Sequence, residues 1–77
     1  MKYIICIYRV SSREEEFITK YELNDLVYLP RRNENILIED ECYRVVGVST
    51  SLDIINNTQN IEIAVKDIPL EYDWWEV

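Results

Sequence analysis

The chain has no histidine among its 77 residues. That absence removes the commonest general base, the commonest zinc ligand and every serine–histidine or cysteine–histidine nucleophile pair. A single glycine leaves no phosphate-cradling loop. With only two prolines as well, the composition is neither linker-like nor low in complexity. The two cysteines, Cys6 and Cys42, allow at most one disulfide and match no disulfide framework or metal-ligand spacing. They are expected to be reduced core thiols. Positive charge is scarce: 8 bases stand against 15 acids, for a net charge of −7. Long apolar runs are missing too. No stretch approaches a membrane span, and the opening Met1 to Val10 is too short and lacks the cleavage site of a signal peptide. The expectation is a cytoplasmic chain with no membrane association, no cofactor and no metal.

What the chain does have is core material. Apolar residues make up 48% of it, which excludes the low-hydrophobicity kind of disorder. Its length allows one domain, 1–77, of marginal stability. The acidic balance disfavours nucleic-acid phosphate and anionic lipid, and favours a protein partner with a basic surface.

Strand signals recur along the chain. Residues 2–10 are β-branched and aromatic, with Tyr3, Ile5 and Ile7 on one face and Ile4, Cys6, Tyr8 and Val10 on the other. A strand apolar on both faces lies in a core or between a core and a partner. Residues 13–23 carry two signals. Ser12 and Glu15 fit a capping box and favour a short helix. Phe17, Thr19, Tyr21 and Leu23 alternate with Ile18, Lys20 and Glu22 and favour a strand from about Glu16, the reading preferred here. Further strands are expected at Ile36–Ile38, Cys42–Ser51 and Ile61–Lys66. Turns are expected at Arg31–Glu34, Glu39–Glu41 and Asp53–Gln59. In the fourth strand Tyr43, Val45 and Val48 form the expected inward set. Their uneven spacing brackets Gly47 and signals a β-bulge. Five short strands predict an all-β domain, either a small barrel or a strongly bent antiparallel sheet.

Residues Leu29-Pro30-Arg31-Arg32-Asn33-Glu34-Asn35-Ile36-Leu37-Ile38, followed by Tyr43-Arg44-Val45-Val46-Gly47-Val48, resemble a pattern in small phage and mobile-element proteins. There a Leu-Pro-Arg turn leads through Gly-Glu to Ile-x-Ile and then Tyr-x-Val-x-x-Val. The resemblance covers roughly 26–66 and implies an SH3-like β-barrel of phage or mobile-element origin. It departs at Asn33, where the pattern prefers glycine. Asparagine tolerates the left-handed conformation nearly as well, so the implied turn survives. The pattern is structural and carries no catalytic residues.

Catalysis is not expected. Glu14 to Glu16 and Glu39, Asp40 and Glu41 are carboxylate runs in turns, which are ordinarily solvated. Arg31 and Arg32 are the only adjacent bases, and they and the Glu39–Glu41 run are secondary contact candidates. The main candidate interface is the tail, 69–77, where Tyr72, Trp74 and Trp75 stand among Glu71, Asp73 and Glu76. Successive side chains of an extended segment point opposite ways, so two adjacent tryptophans do not share one core. One of them is expected to meet another chain. Three functions follow as expectations. The first is a non-catalytic blocker of a basic surface on a host nucleic-acid-handling defence protein, an anti-CRISPR or anti-restriction type of inhibitor. The second is a structural or accessory homo-oligomeric phage protein. The third is a small nucleic-acid-binding barrel.

Overall fold

A computed structural model describes residues 1–25 and 28–68. The described residues form five strands and no helix: β1 (Lys2–Val10), β2 (Glu15–Leu23), β3 (Asn35–Ile38), β4 (Glu41–Asp53) and β5 (Thr58–Asp67). They make one sheet in the order β2-β1-β5-β4-β3. The helix signal at 13–23 loses to the period-2 alternation. The helical stripe through this segment is interrupted by charged residues, whereas the strand places Thr19, Tyr21 and Leu23 opposite Ile7, Ile5 and Tyr3.

The sheet is mixed, not wholly antiparallel. β1 and β5 run parallel, with Ile5 opposite Ile61 and Ile7 opposite Ile63, while the other three pairings are antiparallel. It curls into a half-barrel. Among the described residues the edge strands β2 and β3 do not meet, so the curl stops short of closure.

The core occupies the inner face. Ile61 and Val65 of β5 and Val45 of β4 are fully buried, and Ile5, Ile7, Ile38, Tyr43 and Ile63 complete the cluster. Leu29, on the β2–β3 connection, packs against it. The clean alternation of Ile61, Ile63 and Val65 therefore marks the centre of the domain.

β4 slips register between Val45 and Gly47, which is the bulge expected there. Gly47 takes no left-handed conformation, and a Cβ built on it meets nothing within 4 Å. The bulge therefore makes no steric demand for glycine. Val48 returns to the register of Ile63 but lies beyond the core's edge and is exposed, against its expected inward place. Cys6 and Cys42 are free and half-buried, and neither belongs to the core cluster.

The turns obey local chemistry. Asn33 sits at φ 75°, the left-handed position where the resembling pattern has glycine. Its N–H donates to the Val45 carbonyl at 2.7 Å, and the Val45 N–H donates to the Glu34 carbonyl at 2.8 Å. These bonds tie the Arg31–Glu34 turn to β4. Glu39 and Asp40 both have positive φ, at 48° and 71°, and link β3 to β4 as a two-residue turn of the mirror-image kind. Asn57, at φ 52°, closes the β4–β5 loop.

Candidate interaction surface

Three surface features stand out, and each grows from the strand pairing. The first is the tip of the long β4–β5 hairpin. Ile54 and Ile55 project there at 81% and 95% exposure, with Leu52 exposed beside them. The turn beneath them is braced. The Asp53 carboxylate accepts from the Asn56 N–H at 3.2 Å and from Asn56 Nδ2 at 2.7 Å. The Thr58 hydroxyl donates to the Asn56 carbonyl at 3.0 Å. The Asn56 side-chain and backbone bonds to the ionised carboxylate push Asp53 below its ordinary pKa. Two isoleucines are thus held out on a pinned turn, an apolar knob with little of its surface covered.

The second feature is an open groove of about 530 Å³ between the β2–β3 connection and the β4 bulge. Leu29, Pro30, Arg31 and Arg32 form one wall, and Val46, Gly47 and Val48 form the other. The two arginines are exposed and make no ion pair among the described residues. Glu34 organises this end. Its carboxylate accepts from the Arg31 backbone N–H and from the Tyr28 hydroxyl, the latter at 2.7 Å. The backbone bond from Arg31 comes first in lowering the Glu34 pKa, with the Tyr28 bond next, and the same bond raises the pKa of Tyr28.

These shifts have a defined sign. A carboxylate with a depressed folded pKa contributes stability above its unfolded pKa, and that contribution is lost as pH falls through the folded value. Glu34→Gln keeps an oxygen acceptor for the Arg31 N–H but cannot titrate. The wild type is therefore expected to melt higher than Glu34→Gln near neutral pH. The gap should shrink as pH falls below about 5, the upper edge of glutamate titration. Thermal melts of both chains from neutral to acid pH check this. A gap unchanged by pH would contradict the carboxylate's part in the turn.

The third feature is a charged corner where Arg9 meets Glu16 and Asp67, the latter at 3.5 Å. The Glu16 hydrogen bond is the first cause of the raised Arg9 pKa. The three side chains lie on the surface, where such pairs contribute little to stability.

Arg31 and Arg32 come together as groove wall, whereas Glu39 and Asp40 form the separate β3–β4 turn and Glu41, expected in that turn, opens β4. Tyr72, Trp74, Trp75, Glu71, Asp73 and Glu76 lie outside the described residues. The hairpin tip was missed as a contact candidate, although the signal was present: two isoleucines inside a segment otherwise rich in turn formers. No group of histidine, cysteine or carboxylate side chains suited to a metal occurs among the described residues. No helix among them is long and apolar enough to cross a membrane. No family model matches the chain, and no curated protein or solved structure matches it.

Proposed function

We propose that the chain is a non-catalytic interaction protein that binds a partner with a basic surface and blocks it. The observation that carries this reading is the braced tip with Ile54 and Ile55 outermost. An exposed apolar pair on a turn fixed by Asp53 gains by burial against another molecule, at little further ordering cost. The net charge of −7 sets the sign of the partner's surface and raises the rate of encounter. The tail aromatics Tyr72, Trp74 and Trp75, with the flanking Glu71, Asp73 and Glu76, supply the second contact, and Arg31 and Arg32 a peripheral one. The target proposed, by analogy with the small phage and mobile-element proteins that the chain resembles, is a host defence protein that handles nucleic acid in the bacterial cytoplasm.

Salt dependence tests the electrostatic half of this proposal. The chain, immobilised, captures its partner from a bacterial lysate, and the complex is remeasured with purified components. Affinity is expected to fall about tenfold between about 0.05 and 0.5 M salt as the opposed surfaces are screened. Affinity that held constant or rose with salt would contradict a basic partner surface.

A further inference from the structure

The outer face of the sheet carries a pattern that the proposed function does not use. β1 turns Ile5 and Ile7 into the core and presents Ile4, Cys6 and Tyr8 outward, all half-buried. A central strand with apolar residues on its outer face leaves an apolar stripe at the surface. The neighbours of that stripe are unlike on its two sides. Level with Cys6 stand Lys20 on β2 and Glu62 on β5. Level with Tyr8 stand Phe17 on β2 and Ala64 on β5.

Size alternates in the same way as charge. Phe17 is 54% exposed, its ring set edge-on against Tyr8 at 5.7 Å between centroids. On the other flank Ala64 lies opposite Gly47, and the two small residues leave a trough of about 280 Å³ bordered by Tyr8, Val48 and Glu62. One flank carries a ring and a cation, Lys20, which also reaches Glu22 of its own strand at 3.6 Å. The other carries a hollow and an anion.

We propose that this face is a self-association surface whose occupant is a second copy of this chain. The symmetry is what selects that occupant. Let two outer faces meet with a two-fold axis running between them, parallel to β1. Each β1 then lies over the other β1, and each β2 lies over the other copy's β5. Levels along the strand are preserved by that rotation. Phe17 of one copy lies over Ala64 and the Gly47 trough of the other, and Lys20 lies over the other copy's Glu62. Each contact occurs twice, as a two-fold interface requires. Sheets packed face to face stand about 10 Å apart, a gap that a phenyl ring set into an alanine–glycine hollow fills. The apolar stripe at the centre offsets the repulsion of two acidic chains. The hairpin tip, the main proposed partner contact, is not used, while Gly47 and Val48 border both this trough and the Arg31–Arg32 groove.

Charge exchange tests the pairing. Oligomeric state is read by sedimentation equilibrium over a wide concentration range, with circular dichroism confirming the fold of each variant. The full chain is expected to form a dimer. Lys20→Glu and Glu62→Lys should each weaken it about tenfold or more, because each sets like charges face to face. The double exchange, Lys20→Glu with Glu62→Lys, should restore the dimer. Ala64→Leu, which fills the hollow from a half-exposed outer position, should weaken it with both charges intact. A full chain that is monomeric at every concentration would overturn the proposal. So would a dimer that the charge exchange fails to rescue, or one that Ala64→Leu leaves unchanged.

Discussion

Ile61→Ala is expected to lower the unfolding free energy by about 2–5 kcal/mol, the range for deleting a fully buried isoleucine's outer carbons. Ile61 has no exposed surface and sits on β5, between Ile5 of β1 and Thr50 of β4. Its loss opens a void at the junction of the parallel and antiparallel halves. Around it Ile63, Val65 and Val45 are held by backbone pairing on both sides, so collapse into the void is restricted. A chain of this size is held by about 4–12 kcal/mol in total, so the loss is a large part of its stability. Urea unfolding followed by circular dichroism measures it. The comparison is Ile54→Ala, which removes the same carbons from a site 81% exposed and should change stability by less than about 0.5 kcal/mol. Equal losses from the two would place the core elsewhere.

The second large effect concerns binding. A chain ending at Leu70 and a chain carrying Ile54→Ser with Ile55→Ser are each expected to weaken partner binding by about 2 kcal/mol, near 30-fold. The two arms remove different things. The first removes both tryptophans and three carboxylates of the tail. The second removes apolar surface from the hairpin tip while the Asp53–Asn56 bracing and Asn57 stay in place. The tip substitutions leave the buried cluster in place, and both chains are expected to keep the strand signature of the parent. Calorimetry with the purified partner gives the losses. Unchanged binding in either arm would remove that feature from the interface. A truncated chain that failed to fold would make the tail part of the core.

Much of the fold was legible because its signals are local. Ile61, Ile63 and Val65 alternate with Glu62, Ala64 and Lys66, and that alternation fixes both strand and buried face. Asn33 and the Glu39-Asp40 pair announce turns through residue type and position. The bulge followed from a change of spacing around Gly47. What was not legible depends on pairing between distant segments. Nothing in residues 2–10 says that they lie parallel to 58–67, because a parallel register leaves no mark on either strand alone. The same holds for Val48. Its spacing is that of a core residue, yet the sheet's curl leaves it past the edge of the packed cluster. Cys6 and Cys42 carry the composition of core residues but fall on outward positions of their strands.

The candidate surface divides along the same line. The exposure of Ile54 and Ile55 required the hairpin to be long and its tip braced, which only the paired register of β4 and β5 reveals. The complementarity of Lys20 with Glu62 and of Phe17 with Ala64 exists only once β2 and β5 are known to flank β1. The tail stood out from composition alone.

Inhibition is the most direct measure of the proposed function. The captured partner's own enzymatic rate, expected under the proposal to be nucleic-acid processing, is followed as the full chain is added, beside the chain ending at Leu70 and the Ile54→Ser, Ile55→Ser chain. The expected result is a rate that falls to near zero at one chain per binding site, with both altered chains needing roughly 30-fold more for the same effect. A partner whose rate is untouched while the full chain is bound at saturation would contradict it.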